Sequence, residues 1–294
     1  MSRKPTVHLN LSVPARAAHA AALPAAGVGL LRAEFLALSI GRHPLALLEE
    51  DGEEAFLTVF RSGLETVARA FHPRPVTYRA LDLKSNEYRS LDGGDRFEPV
   101  EANPMLGRRG AFRYTLRPEE FALELRAIRD VLDSGLDNVH LLVPFVRTLD
   151  DLREAKEAVE DAGLRDRDGF ELWAMAEVPS NALLAGRFAA EVDGISIGSN
   201  DLTQLVLGAD RDSAELSQRY VATDDAVLAA IGLIVEGAHA AGVAACICGD
   251  APSRDPGLVH ALVELGIDQI SVVPDAFDET VAAIDAAVLS GAAA

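Results

Sequence analysis

Cysteine is nearly missing from this 294-residue chain, which has only Cys246 and Cys248. Two cysteines make no disulfide framework, and an extended backbone holds residues two apart on one face near the upper limit of disulfide reach. Positive charge is scarce too: 27 Lys and Arg stand against 46 Asp and Glu, a formal charge of −19. A field of that sign argues against a nucleic-acid or anionic-membrane partner, although a few local arginines can still dominate a cleft. No apolar run is long enough to span a bilayer, and no signal-peptide pattern opens the chain. Val7–Val13 is interrupted by polar residues and reads as a strand, so a cytoplasmic protein is expected. Short repeats, low-complexity linkers and internal composition breaks are also lacking.

What is present is an alternation of short apolar runs with longer amphipathic segments. Eight candidate strands emerge: Val7–Val13, Gly29–Phe35, Val76–Leu81, Val139–Phe145, Leu172–Val178, Ile195–Ser199, Val243–Cys248 and Gln269–Val273. Several are nearly continuous in apolar residues, as strands buried on both faces of a parallel sheet should be. Between them, helical periodicity runs through Pro44–Phe71, Pro118–Leu132, Leu149–Ala162, Ser180–Ala190, Asp224–Ala241, Pro256–Leu265 and Phe277–Leu289. Ser180, Asp224 and Asp255 stand at N-cap positions, and Gly135, Gly163, Gly242 and Gly266 just past helix ends. Strands alternating with helices imply βα units, and a count of eight predicts an α/β fold of the (β/α)8 TIM-barrel type; an open doubly wound sheet is the competing architecture. One domain over residues 1–294 is the simplest division.

Charged and reactive residues fall at the C-terminal ends of these runs, where barrels place active sites. Arg32 lies late in the second strand, Arg79 within the third and Glu177 at the end of the fifth. Asn200 and Asp201 follow the sixth, Cys248 ends the seventh, and Arg109 sits in the long connection after the third. Singly, each has an ordinary reading as half of an ion pair, a small core thiol or a helix cap. Their joint placement on five strands points to a shared site, because charge inside an apolar strand is costly unless paired or liganded. Glu177 and Asp201 are hard oxygen donors suited to Mg²⁺. The three arginines offer planar forks for phosphate or carboxylate oxygens, to which the Asn200 amide adds a donor. Cys248 would give or take a proton across the substrate, as an enolate requires at carbon.

These residues sit in longer strings: GVGLLRAEFL at Gly27–Leu36, LKSNEY at Leu83–Tyr88 and FEPVEANPMLGRRG at Phe97–Gly110. VPFVRT at Val143–Thr148, AEVPSNALLA at Ala176–Ala185 and GISIGSNDLTQLVLGADRDS at Gly194–Ser213 follow, then CICGDAPS at Cys246–Ser253 and GIDQISVVPD at Gly266–Asp275. Together they resemble the phosphoenolpyruvate/pyruvate-binding barrel of the PEP-utilising enzymes, of the phosphoenolpyruvate synthase type. More distantly the chain is similar to the barrels of pyruvate, phosphate dikinase and of enzyme I of the sugar phosphotransferase system. The resemblance implies substrate phosphate and carboxylate on Arg32, Arg79 and Arg109, with further contacts from Gly198, Ser199, Asn200 and Arg211. It places Mg²⁺ on Glu177 and Asp201 and gives Cys248 the proton donor/acceptor role. Two positions depart from the pattern: Asp250 replaces the usual Gln or Glu after Cys-Gly, and Val273 stands where Asn is expected.

The resemblance also marks what is lacking. None of the seven His lies in a setting like that of a phosphorylatable histidine, and no Gly-rich phosphate loop leads into Lys and Ser/Thr. A stand-alone barrel without ATP-grasp and phosphohistidine domains is therefore expected. It would carry the enolpyruvate half-reaction of a pyruvate, water dikinase type phosphotransferase, with a phosphohistidine partner in trans, and would form homodimers. The alternatives are a binding or regulatory module for phosphoenolpyruvate or pyruvate, and an autonomous lyase or hydrolase acting on a related 2-oxo acid.

Overall fold

A computed structural model of the chain describes residues 4–293. The strands are β1 (Thr6–Leu11), β2 (Val28–Arg32), β3 (Val76–Arg79), β4 (Val139–Val143), β5 (Leu172–Ala176), β6 (Gly194–Gly198), β7 (Ala244–Cys248) and β8 (Gln269–Val272). Each pairs in parallel with the next, and β8 pairs with β1 to close an eight-stranded barrel ringed by helices. The open doubly wound sheet is excluded. β5 and β6 are buried along their whole length, which fits their nearly continuous apolar character, broken only by Ser196.

β1 to β5 end two or three residues earlier than their apolar runs suggest, and for β3, β4 and β5 side chains explain the difference. Past Arg79, the Leu81 N–H donates to Glu124 and the Asp82 N–H to Glu34. Past Val143, the Phe145 N–H donates to Glu177, and past Ala176 the Val178 N–H donates to Asn181. Buried amides need acceptors wherever they lie. At these three strand ends polar side chains replace the ladder.

Among the helices, Pro44–Phe71 is broken at Gly52, whose φ of 82° separates Pro44–Asp51 from Glu53–Phe71. The 180–190 segment is two short helices, Pro179–Leu183 and Ala185–Ala189. Ser180 lies inside the first rather than capping it, and its hydroxyl donates to the Arg147 carbonyl at 2.6 Å. Asp224 and Asp255 do cap, accepting from Ala226 N and Gly257 N, both at 2.9 Å. Gly135, Gly163, Gly242 and Gly266 all take positive φ past their helices. Short helices that periodicity did not reveal start directly behind the strands that carry polar ends: Glu34–Ile40, Ser199–Leu207 and Ala251–Arg254.

The larger core lies between the barrel and its helices. A smaller cluster of Leu30, Leu142, Trp173, Met175, Cys246 and Cys248 forms separately, and both cysteines in it are free and buried. Among the described residues, no helix is long and apolar enough to cross a membrane.

Glu124, on the helix Pro118–Asp133, is fully buried and accepts from the Tyr78 hydroxyl at 2.8 Å. Burial pushes its carboxyl up from 4.5 to about 8. The native state then holds a proton that the unfolded chain releases above its own pKa. This stabilisation is complete below about pH 4.5 and is lost as pH rises through about 8. Glu124→Gln is expected to flatten that decline, as read from urea midpoints across the same range.

Candidate functional site

A cleft of about 630 Å³ opens where the strands end. Arg32, Arg79, Arg109, Glu177, Gly198, Ser199, Asn200, Asp201, Arg211 and Cys248 all line it. Residues up to 216 positions apart in sequence are thus brought to one place because a parallel barrel turns every strand end the same way. Glu34, Asp82, Lys84 and Met175 line the cleft as well, and sequence reasoning did not single them out. Val273 does not line it, whereas Asp250 does.

The cleft is built from paired charges. Arg109, 3% exposed, grips Asp82 with Nε at 3.0 Å and Nη2 at 2.5 Å, and Nη2 also reaches Asp201 Oδ2 at 3.0 Å. Arg79 Nη2 donates to Glu34 Oε1 at 2.8 Å, the oxygen that also accepts from the Asp82 N–H. Arg32 is looser, with Nη2 3.7 Å from Asp250 Oδ1. Arg211 Nη1 approaches Asp201 Oδ1 to 2.9 Å but off the angle of a hydrogen bond, so that buried oxygen has no hydrogen-bond partner. Burial works against the Asp82 charge, yet the Arg109 guanidinium wins and holds its carboxyl below the usual range.

Asp82, Glu177 and Asp201 form a buried triad with one oxygen of each within 4.8 Å of the others. Glu177 Oε1 accepts the Phe145 N–H at 2.8 Å, and Oε2 lies against Gly198, where a Cβ would overlap it. Desolvation raises the Glu177 carboxyl well above its ordinary range, and the charges of Asp201 and Asp82 raise it further. Crowded buried carboxylates with an unpartnered oxygen suit a divalent cation, which would bring the charge that the cluster lacks. Asp82 is the member that sequence reasoning missed. Its only signal was its place directly after the apolar pair Ala80-Leu81, past the strand that carries Arg79.

Cys248 ends β7 on the barrel's interior side. Its thiol accepts from the Ser196 hydroxyl and donates to the Ile197 carbonyl, both at 3.5 Å. Burial pushes it up to about 11, so near neutral pH it holds its proton. Ser199 Oγ donates to the Cys248 carbonyl at 2.7 Å, and Asn200 exchanges bonds with Asp250 at 3.2 and 3.4 Å. These bonds knit the ends of β6 and β7 together beneath the cleft.

The PEP-binding domain of the PEP-utilising enzymes matches residues 2–288. The chain belongs to that family. Curated relatives of this PEP-binding domain agree: a probable phosphoenolpyruvate synthase of Staphylothermus marinus is 49% identical over 276 residues, covering 92% of this chain and 33% of the relative. Phosphoenolpyruvate synthase of Escherichia coli is 42% identical over 298 residues, covering 93% and 38% respectively. The chain therefore spans about a third of the length of the curated relatives it matches. Among solved structures, Haloferax volcanii malate synthase in a pyruvate/acetyl-CoA ternary complex has a TM-score of 0.55 at 16% identity, covering 97% of this chain and 70% of that one. That likeness is one of fold.

Gly198→Ala would drive a methyl group into Glu177 Oε2. Changing a group that orients metal ligands typically lowers metal affinity about 10- to 100-fold, so if the triad takes a divalent cation, a fall of that size is expected in a Mn²⁺ titration followed by electron paramagnetic resonance.

Proposed function

We propose that this PEP-binding barrel takes phosphoenolpyruvate or pyruvate with Mg²⁺ and carries the enolpyruvate half of a phosphoryl transfer. The phosphohistidine that exchanges the phosphoryl group would come from outside residues 1–294, which we take to be a single barrel domain. The observation that carries the reading is the convergence of Arg32, Arg79, Arg109 and Arg211 with the Asp82, Glu177 and Asp201 carboxylates and the protonated Cys248 thiol on one cleft. The anion would lie across Arg32, Arg79, Arg109 and Arg211, whose forks match phosphate and carboxylate oxygens. Gly198, Ser199 and Asn200 would shape its floor.

Glu177 and Asp201 would hold the cation, with Asp82 beside them. Asp82 is taken up on both oxygens by Arg109, whereas Asp201 Oδ1 has no hydrogen bond, so the first two are the freer donors. When bound, Mg²⁺ supplies Lewis acidity towards an enolate oxygen and the carboxylate. In the direction of pyruvate formation, the phosphorus–oxygen bond of phosphoenolpyruvate breaks as the phosphorus–nitrogen bond to histidine forms. The resulting enolate takes the Cys248 proton at its methylene carbon, and the thiolate recovers a proton from solvent. A thiol raised to about 11 is charged with its proton at neutral pH, which favours the donor role.

The test follows loss of the pyruvate methyl proton signals in D₂O with Mg²⁺ and inorganic phosphate. Exchange is expected in the wild type, dependent on Mg²⁺, and cut about 100-fold or more in Cys248→Ala. Pyruvate bound with no exchange would sink the half-reaction and leave a binding module.

A further inference from the structure

Phe145 is the one non-glycine residue with a positive φ among the described residues, at 47°. Side chains are disfavoured in that region and stay there only where the surroundings over-determine them. The surroundings here are specific. Phe145 lies past the end of β4, 1% exposed, and its N–H donates to Glu177 Oε1 at 2.8 Å. Its ring lies under two guanidinium groups: Arg109 Cζ is 4.0 Å from the ring centroid and Arg147 Cζ 4.6 Å. Gly110, with φ 58°, comes so close that a Cβ there would overlap Phe145 Cβ. Next to it, the Ala111 N–H donates to the Pro144 carbonyl at 3.0 Å.

Arg147 extends the same contact to the backbone that carries Arg109. Its Nη2 donates to the Gly107 carbonyl at 2.7 Å, and its Nη1 to the Arg109 carbonyl at 3.4 Å. Phe145 thus touches, through backbone and ring, both the acidic triad and the guanidinium that balances it, yet it does not itself line the cleft.

We propose that Phe145 is a positioning residue of this site. Its left-handed backbone aims an N–H at one Glu177 oxygen, and its ring fixes the plane in which Arg109 spans Asp82 and Asp201. Hydrogen bonds to Asp82 and Asp201 hold the Arg109 Nε and Nη2, and a flat aromatic face opposes rotation of that guanidinium as an aliphatic side chain cannot. The consequence for anion binding rests on the proposed function; the positioning itself does not.

The first readout therefore needs no ligand. Nitrogen-15 NMR of arginine side chains in the wild type is expected to show slow rotation of the Arg109 guanidinium, with separate Nη–H signals identified by their loss in Arg109→Lys. Phe145→Leu should merge those signals, and Phe145→Tyr, which keeps the ring face, should preserve them. The second readout is calorimetric affinity for phosphoenolpyruvate. It should fall about tenfold in Phe145→Leu and stay within about twofold in Phe145→Tyr, the range expected for one cation–π contact. Mn²⁺ affinity should be unchanged in Phe145→Leu, because the backbone N–H remains.

If Arg109 rotates no faster in Phe145→Leu, positioning is overturned. If phosphoenolpyruvate affinity, Mn²⁺ affinity and thermal midpoint all fall together, the role is merely structural and the proposal is again overturned. Phe145→Met, whose flexible chain refills the volume, serves the same comparison if the leucine variant does not fold. A wild type that binds no phosphoenolpyruvate would sink the substrate reading, and the NMR comparison would then decide on Phe145 alone.

Discussion

Arg109 is buried between Asp82 and Asp201, and the rest of the cleft depends on that arrangement. Opposite unit charges 4 Å apart attract by about 4 kcal/mol at an effective dielectric near 20. Desolvation costs several kcal/mol for each ion, so one guanidinium must satisfy two carboxylates through well-formed bonds to break even. Removing it would leave Asp82 and Asp201 without their deepest counter-charge, beside a Glu177 carboxyl that both already push up. Its own charge is correspondingly secure: the neighbouring carboxylates outweigh burial and hold the guanidinium protonated. The arginines nearer solvent are less committed, with Arg32 3.7 Å from its partner and Arg211 poorly aligned on Asp201. A gradient runs from a fixed charge in the depth of the cleft to exchangeable ones at its mouth.

Space is set by what is left out. Gly198 lets Glu177 fold back against β6, and Gly249, at φ 107°, lets the chain leave β7 beside Ser199 and Asn200. Neither position could carry a side chain without displacing a polar group of the cleft. The fold thus delivers carboxylates to the centre by thinning the backbone around them, while carboxylates and amides finish the hydrogen bonds that the strands abandon.

Much of this was legible in the sequence. Eight apolar runs gave eight strands, and strand-end polarity marked Arg32, Arg79, Glu177, Asn200, Asp201 and Cys248. Arg109 came from a long connection and Gly198, Ser199 and Arg211 from the resemblance alone. All ten line one cleft, because in a parallel barrel the end of a strand is also an address. Periodicity failed where tertiary bonds decide the outcome. Glu124, Glu34 and Glu177 cut β3 and β4 short by accepting amides that an apolar run would have assigned to the ladder. Gly52 interrupts a helix whose apolar spacing carries straight across it. Asp82 and Phe145 were hidden for a related reason. One is placed by a turn beyond its strand and the other by a backbone angle, and neither leaves a mark in residue spacing.

Closing the sheet has a consequence for how the molecule meets others. With β8 paired to β1, no strand among the described residues offers an unpaired row of amides and carbonyls, so the described barrel has no template on which another chain could add a strand. Association would then run through side chains of the helices and connections, where Val100, Phe112 and Leu116 are among the exposed apolar residues. Contacts of that kind depend on shape and composition and can be reversed, whereas strand addition propagates. An acidic exterior adds repulsion between copies, so any pairing has to be specific enough to overcome it.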